Sequence, residues 1–337
     1  MCNAVLTSRK SLKRVPLAEE WGRFEFYARR VRVLSCEYEG DSSIDDEMFK
    51  ALVGHFQESP ALPNLRDLRC FQNATIHSYM WLFLAPTLAH LLFYPCSNRS
   101  PSPAVVASAK AARPSLRMLH ILLDNVEYSR DLFAATPELI GSLYALESLR
   151  CRFPLTPATI LHLARLSTLT DINLFDHPHA IVRSLAGTST PAFAYLTTLR
   201  IRAWDGPSTV ELLRVLCIKR LNNLRITFCN PSAFENSLPS LKEYQPSAFT
   251  GYHPSLPDDS ELAQIFAAAC THSNLQSLSI DQLAARRHSS LTSPDIIRPL
   301  FSHRNLTSLH IDTIRDTNVR CLSLFALPSV QRFNWLR

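Results

Sequence analysis

Glycine is scarce in this chain, which has seven glycines among its 337 residues, and none of them forms a nucleotide-binding motif. Dinucleotide-binding folds need G-x-G-x-x-G and P-loop proteins need G-x-x-x-x-G-K, because glycine lets the backbone approach a phosphate closely. Neither pattern occurs. The chain turns mainly with its 22 prolines, together with asparagine and serine, and the commonest nucleotide-binding functions are excluded.

Motifs for metal binding and catalysis are also missing. The nine cysteines contain no C-x-x-C pair, the twelve histidines contain no H-E-x-x-H pattern, and no G-x-S-x-G elbow occurs. The closest approach to a ligand pair is His177 and His179, which have no cysteine nearby in the sequence. We therefore expect a protein that is not an enzyme, with no catalytic residues, no cofactor and no metal.

Long apolar runs are missing as well. The most apolar stretch, residues 79–94, is short for a membrane span and contains proline, threonine and histidine. The basic N-terminal stretch lacks the apolar region of a secretory signal. We therefore expect a cytoplasmic or nuclear protein that does not interact with a membrane.

The net charge of +6 is distributed unevenly along the chain. Residues 1–36 carry eight basic and three acidic residues, so the remaining three hundred residues carry about one net positive charge. A sequence-specific nucleic-acid reader usually has a basic face across its body. The charge distribution therefore argues against nucleic-acid binding by the body of the chain and leaves its basic tail as the candidate segment for such binding.

The stretch Pro114–Asn125 carries the clearest copy of a repeated pattern, in which apolar residues occupy positions 1, 4 and 6. Here they are Leu116, Leu119 and Ile121, and this spacing is that of the strand half of a leucine-rich repeat. The copies begin at Val31, Leu65, Leu88, Leu116, Leu146, Leu169, Leu196, Leu221, a weak Leu238, Leu275, Leu306 and Val330. The pattern predicts an α/β fold, a leucine-rich-repeat solenoid (horseshoe) of about 11–12 irregular repeats with a parallel concave β-sheet and convex helices.

The predicted domain organisation follows from these copies. We expect residues 1–15 to form a basic, disordered tail, residues 16–30 a helical N-terminal cap, and residues 31–337 the solenoid, with excursions near 97–113 and 242–257. Five cysteines fall at inward positions and are interpreted as small buried residues in a reducing compartment. They are Cys36, Cys70, Cys96, Cys151 and Cys229.

Helix starts are marked mainly by proline. Thr136, Thr156 and Ser293 each precede a proline, which predicts an N-cap followed by proline at the first helical position. A further helix is predicted over Asp258–Cys270, with acidic residues near its positive end.

Positions 3, 5 and 7 of each repeat are predicted to point outward from the concave face of the sheet. This places aromatic residues early in the array, arginines in the middle, and Asp281 and Asp312 near the end. The candidate partner-binding residues are Phe71, Tyr94, Arg150, Arg152, Phe175, Arg200, Arg202 and Arg225. Arginine beside aromatic residues is typical of interaction surfaces, so we expect a protein partner with acidic or phosphorylated groups on this face. The alternative is that the arginines only keep the sheet face solvated.

Two segments carry a resemblance to a known family. Trp21–Leu34, followed by the L-P-N-L-R-D-L of Leu62–Leu68, resembles the segment after the F-box in fungal F-box/leucine-rich-repeat proteins. The similarity in the order of parts covers nearly all of Pro16–Arg337. In such proteins the F-box docks on a Skp-type adaptor of a cullin ubiquitin ligase, and the repeats present substrates for ubiquitination.

The resemblance implies that the repeats bind a substrate-type protein partner, and it assigns no site residues. No L-P-x-E opening of an F-box is visible in the sequence, so docking on a Skp-type adaptor is in doubt. Two readings stay open: a relative without an F-box, and a truncated gene product. The leading hypothesis is a non-enzymatic binding solenoid, like the substrate-recognition part of a ubiquitin-ligase receptor. The alternatives are a structural scaffold or inhibitor unrelated to ubiquitin, and a nucleic-acid accessory that uses the basic N-terminal tail.

Overall fold

A computed structural model of the protein shows which stretches of the chain form regular structure. It describes residues 2–5, 14, 16–36, 46–57, 59–71, 78–94, 115–122, 130–151, 155–174, 178–185, 192–203, 205–216, 218–228, 257–284, 294–314 and 332–336. Its contacts divide the chain into two units, Met1–Arg152 and Phe153–Arg337, where the sequence predicted one continuous solenoid. Because each repeat of an array contacts mainly its neighbours, an array can divide in this way without a change in its local structure.

The strands of the first unit pair in parallel and in chain order. They are β1 (Cys2–Val5), β2 (Val31–Cys36), β3 (Asp67–Phe71), β4 (His90–Tyr94), β5 (Met118–Ile121) and β6 (Ser148–Cys151). In β5, Leu119 and Ile121 are buried, as the apolar positions 4 and 6 predict. Alternate residues of a strand point to opposite faces, so the repeat pattern determines which side of each strand enters the core.

The first strand differs from the sequence prediction. Cys2–Val5 form β1 and pair with β2, within the segment that was expected to be a disordered tail. No leucine pattern precedes these residues, so their strand state does not come from a repeat signal. The pairing instead covers the open edge of β2, whose backbone groups would otherwise have no neighbouring strand on that side.

The strands of the second unit also pair in parallel and in chain order. They are β7 (Asp171–Leu174), β8 (Thr198–Ala203), β9 (Asn223–Phe228), β10 (Ser277–Ala284), β11 (Ser308–Ile314) and β12 (Arg332–Leu336). β9 pairs directly with β10. The weak repeat predicted at Leu238 therefore adds no strand between them, and the residues of that copy lie outside the described ranges.

Helices follow most of the strands. In the first unit these are α1 (Ala18–Ala28), α2 (Asp46–His55), a 3-10 turn (Met80–Phe83) and α3 (Arg130–Gly141). In the second unit they are α4 (Pro157–Arg165), α5 (Pro178–Leu185), α6 (Gly206–Val215), α7 (Asp259–Ala269) and α8 (Pro294–Phe301). Each helix of the second unit packs against the next one. Leu199 and Ile201 of β8 line the same interior as Ile181 of α5 and Leu212 of α6, so the inward side of this sheet faces the helices.

The helix starts agree with the sequence at three positions and differ at one. Thr156 is the N-cap of α4 and accepts a hydrogen bond from the backbone N–H of Thr159 at 3.2 Å. Asp258 caps α7, and α8 begins at Pro294 as predicted. The prediction at Thr136 is wrong, because Pro137 lies inside α3, which begins at Arg130. Tertiary packing overrides the local start signal here, and Thr136 is fully buried.

A recurring pair of backbone hydrogen bonds connects consecutive repeats within each unit. The carbonyl at position 2 of one repeat accepts the N–H groups of positions 2 and 3 of the next repeat. The carbonyl of Ala89, for example, accepts from Arg117 at 2.8 Å and from Met118 at 3.0 Å. In the second unit the carbonyl of Thr197 makes the same two bonds at 2.8 and 3.0 Å. The repeats are therefore equivalent in hydrogen bonding as well as in sequence.

The inward cysteines that the structure describes are buried free thiols, which confirms their predicted placement. They are Cys36, Cys70 and Cys151, whereas Cys96 and Cys229 lie outside the described residues. Cys36 and Cys70 are in register on neighbouring strands. A hydrogen bond to Cys36, together with burial, holds the pKa of Cys70 well above its ordinary value. The thiol therefore stays protonated and packs as a small apolar side chain.

Two histidines are buried in the turns that lead into β10 and β11. The ring Nδ1 of His272 lies 3.3 Å from the carbonyl oxygen of Ile218, and the ring Nε2 of His303 lies 3.0 Å from the carbonyl oxygen of His272. Burial lowers the pKa of His272 below its ordinary value, although hydrogen bonds to the carbonyls of Ile218 and Leu213 oppose this shift. His272 is therefore held in its neutral form.

Acidification below neutral pH is expected to destabilise the second unit through His272. Its pKa is lower in the folded chain than in the unfolded chain, so the unfolded chain binds more protons as the pH falls. The stabilisation is fully present above the unfolded pKa of about 6.5 and is lost below it. His272→Gln keeps a side-chain donor near Ile218 but does not titrate, so its urea midpoint should change less between pH 7 and pH 5. His162 is half-buried on α4 and serves as the control. If His162→Gln reduced the pH dependence of the urea midpoint equally, this result would contradict the assignment to His272.

Candidate functional site

The outward side of β8 and β9 carries the arginines predicted to bind a partner. Along β8 the residues alternate between buried and half-buried, and Arg200 and Arg202 are both half-buried. Arg200 is in register with Arg225 of β9, which is in register with Ser279 of β10. The parallel register therefore places equivalent repeat positions side by side across the sheet of this unit.

Arg200 is bound by a carboxylate of the preceding strand. Its Nη1 lies 2.8 Å from Oδ1 of Asp171 on β7, and the two side chains are 30% and 23% exposed. Asp171 occupies position 3 of its repeat, and Arg200 occupies position 5 of the next one. The ion pair therefore joins two strands and restricts the rotation of the guanidinium.

Arg225 is bound by a carboxylate of the following strand. Its Nε lies 2.5 Å from Oδ2 of Asp281 on β10. Asp281 is only 4% exposed, although its position was predicted to point outward. The same carboxylate accepts hydrogen bonds from the hydroxyls of Thr227 at 3.1 Å and Ser279 at 2.8 Å, and the ring Nε2 of His310 lies 3.7 Å from its Oδ1. These five residues are termed the Asp281 cluster.

A local irregularity of the sheet adjoins Asp281. The register between β10 and β11 runs from Ile280 opposite Ile311 to Leu283 opposite Thr313, so β10 has one extra residue there. Bulges of this kind redirect side chains and often adjoin functional sites. The sequence predicted Asp281 as part of an acidic end, separate from the arginines. The structure corrects this prediction, since Asp281 contacts Arg225 directly.

The other predicted residues of the second unit are placed only in part. Arg202 lies on β8 in register with Thr227. Phe175 lies outside the described residues, as does Arg152 of the first unit. The backbone of Asp312 is described, but its side chain is not. The predicted interleaving of Phe175 with the arginines therefore stays a prediction.

The predicted aromatic residues of the first unit pack on each other. Phe71 of β3 and Tyr94 of β4 are in register, and their rings stack with centroids 5.9 Å apart and an interplanar angle of 25°. Both side chains are half-buried. Their mutual contact accounts for part of the apolar area that was expected to need a partner.

Arg150 of β6, another of the predicted arginines, lies in the first unit and is half-buried. It is in register with His120, which was predicted to point outward but is only 7% exposed. The ring Nε2 of His120 lies 3.2 Å from the hydroxyl oxygen of Ser148. Neighbouring side chains therefore cover His120 on the outward face of this sheet.

A further carboxylate–arginine pair lies on the outward face of the first unit and was not singled out in the sequence. Asp67 accepts two hydrogen bonds from Arg69, at 3.1 and 2.9 Å, and its Oδ2 lies 3.6 Å from the ring Nδ1 of His90. In both units, acidic residues at outward repeat positions therefore bind an outward arginine. The sequence signal for such pairs is an acidic residue at position 3 or 7 near a basic residue at position 5.

The sheet face of the second unit is suited to recognising anions. In the described part of the chain Arg225 donates only through Nε, so its Nη1 and Nη2 groups have no hydrogen-bond acceptor there. Asp281 fixes one edge of the guanidinium and leaves the other edge directed away from the cluster. A guanidinium held in this way can bind a carboxylate or a phosphate through two N–H groups with little further loss of side-chain entropy.

Comparisons with known proteins assign no family to the chain. No protein-family model matches it, and neither does any curated protein. Among the described residues, no set of three or more His, Cys, Asp or Glu side chains is arranged to hold a metal ion. Within the same residues, no helix has both the length and the apolar character to cross a membrane. The case for a function therefore depends on the geometry of the sheet face.

Proposed function

We propose that the chain is a leucine-rich-repeat solenoid that binds a protein partner, without catalysis, on the outward and concave face of its sheet. The repeat pattern supports the solenoid, as do the parallel strands in chain order and the recurring hydrogen bonds of position 2. The observation that carries the binding function is the row of Arg200 and Arg225, each held at one edge by a carboxylate of a neighbouring strand.

The partner is proposed to present an acidic or phosphorylated segment. Arg200 and Arg225 are neighbours in register, and their carboxylate anchors lie on opposite sides, on β7 and β10. An anionic group between them would meet two guanidinium groups whose positions are already set. Hydrogen bonds to charged groups contribute about 1.5–3 kcal/mol each, so two such contacts give a useful affinity.

The proposed biological role is substrate recognition for ubiquitination in the cytoplasm or nucleus. The resemblance of Trp21–Leu34 and Leu62–Leu68 to fungal F-box/leucine-rich-repeat proteins supports this role. The internal pairing of Arg200 and Arg225 also favours a second candidate, a structural scaffold whose sheet face is only solvated. Capture of partners distinguishes the two.

Neutralising the three predicted arginines on the sheet face of the second unit is expected to abolish partner capture. Arg200→Gln, Arg202→Gln and Arg225→Gln, combined in one chain, remove the guanidinium groups without placing new carboxylates against Asp281. The measurement is affinity purification with the full chain as bait, followed by identification of the captured proteins. We expect specific partners of the native chain to be lost with the triple variant while the unfolding temperature changes by only a few degrees.

A matched control removes the same charge from the helical side. Arg165, Arg214 and Lys219 are exposed on α4, α6 and the turn after α6, and their combined change to Gln should leave capture intact. If the control variant loses the same partners, net charge rather than the sheet face explains capture. Recovery of a cullin and its adaptor with the native chain supports the ligase role, whereas their reproducible absence leaves the scaffold.

A further inference from the structure

An apolar cavity of about 660 Å³ lies in the first unit between α1, α2 and β2. Its wall is mainly aromatic and aliphatic and includes Trp21, Phe24, Ala28, Leu34, Phe49 and Leu52. Leu34 belongs to the buried side of β2, so the cavity lies on the opposite side of this sheet from the outward face. Its volume is within the range of small-molecule pockets, about 300–1,000 Å³.

Contacts outside the cavity fix the side chains that form its wall. The indole of Trp21 stacks on the ring of His55, with centroids 4.3 Å apart and an interplanar angle of 4°. Nε2 of His55 lies 2.8 Å from a carboxylate oxygen of Glu25. On the opposite side, Phe49 stacks on Tyr79 with centroids 5.1 Å apart. These contacts restrain the aromatic side chains of the wall.

The charges at the rim of the cavity are already balanced. Arg14 donates two hydrogen bonds to Glu20, at 2.7 and 2.8 Å, and Glu20 also accepts from the backbone N–H of Leu17 at 2.8 Å. The other polar side-chain groups of the lining are the indole N–H of Trp21 and the hydroxyl of Tyr27, which make no hydrogen bond within the described residues. The described part of the lining therefore offers an apolar space, a balanced ion pair, and two hydrogen-bonding groups.

We propose that this cavity binds an uncharged, mainly apolar small molecule that carries one hydrogen-bonding group. The lining residues Ala28, Leu34 and Phe49 are at most 3% exposed, so a ligand that reaches them is itself largely shielded from bulk water. An apolar ligand in this cavity would remove the apolar wall from water and supply dispersion contacts to it. The polar group of the ligand would lie near Trp21 and Tyr27.

Titration of the full chain with Nile red, an uncharged apolar dye, tests the proposal. We expect saturable binding of one dye per chain, with emission shifted to shorter wavelength. Ala28→Leu adds three carbons inside the cavity at a helical position that accepts leucine. It should weaken dye binding by about tenfold or more while the unfolding temperature stays the same or rises. Unchanged dye affinity in this variant would overturn the proposal.

A matched control examines the exposed side of the same helix. Phe26 is 54% exposed and lies under the guanidinium of Arg30 at 4.0 Å, outside the cavity. Phe26→Ser should leave dye binding unchanged, and an equal loss in this variant would show that the dye binds exposed apolar surface. Stronger binding of the anionic dye 1-anilinonaphthalene-8-sulfonate would contradict the uncharged ligand class. Light scattering reports whether the chain self-associates. If self-association suppresses dye binding, the cavity binds a second copy of the chain instead.

Discussion

Replacing Leu119 with Asp is expected to unfold the strands around β5 rather than to weaken them slightly. Leu119 is fully buried and lies between Leu91 and Leu149, which are in register on the neighbouring strands and are at most 3% exposed. Loss of a buried leucine alone costs about 2–5 kcal/mol, and the new carboxylate would be buried without a partner. Together these costs approach the whole stability of a typical domain, about 5–15 kcal/mol.

Hydrogen exchange followed by mass spectrometry provides the local measurement. Peptides that contain β4, β5 and β6 should exchange slowly in the native chain and rapidly in the Leu119→Asp chain. Met118→Asp is the matched control, because it introduces the same charge one residue earlier, where the side chain is half-buried and points to the other face. Slow exchange in Leu119→Asp, or equally rapid exchange in Met118→Asp, would show that the assignment of inward and outward positions is incorrect.

The sequence predicts the strands of this fold well because one short pattern determines both their place and their orientation. A buried strand needs apolar residues at alternate positions, and Leu199 and Ile201 of β8 show this as clearly as Leu119 and Ile121 do. Every described strand from β2 to β12 coincides with a predicted repeat copy. The strand that the sequence missed, β1, has no such pattern and depends on the edge of β2.

Local start signals for helices were less reliable than the strand pattern. Thr156 and Thr136 each precede a proline, yet Thr156 caps α4 and Thr136 is buried inside α3. A threonine–proline pair can begin a helix, but it does not prevent a helix that has started earlier from continuing through it. The difference depends on which residues the rest of the unit buries, and a short stretch of sequence does not contain that information.

The arginines of the candidate site could be placed from the sequence, but their partners could not. The pairing of Arg225 with Asp281 spans 56 residues and depends on β9 and β10 being neighbours. The sequence predicted a weak repeat at Leu238 between these strands, which would have placed Asp281 two strands away from Arg225. Because one additional repeat changes every neighbour across the sheet, side-chain contacts are more sensitive to a miscounted repeat than the fold is.

This pairing makes charge reversal at Arg225 a test of folding as much as of binding. Arg225→Glu would place a second carboxylate against Asp281, which is 4% exposed and would lose its charged donor. Breaking a buried ion pair by changing one partner costs about 3–5 kcal/mol. Because Arg225 itself is 56% exposed, solvent screening reduces this cost, and we expect about 2–3 kcal/mol. The measurement is the free energy of unfolding in urea.

The double variant separates repulsion from the loss of packing. Adding Asp281→Asn to Arg225→Glu removes the facing carboxylate but keeps one side-chain oxygen, which can accept from the hydroxyl of Ser279 or of Thr227, and an amide that can donate to the other hydroxyl. We therefore expect the double variant to regain most of the lost free energy of unfolding, with a coupling of about 1 kcal/mol or more. Arg214→Glu, on the exposed surface of α6, should change stability by only about 0.5 kcal/mol. Additive effects of the two substitutions would mean that Arg225 and Asp281 are not coupled in solution. The guanidinium of Arg225 would then not be anchored, contrary to the proposed mode of partner recognition.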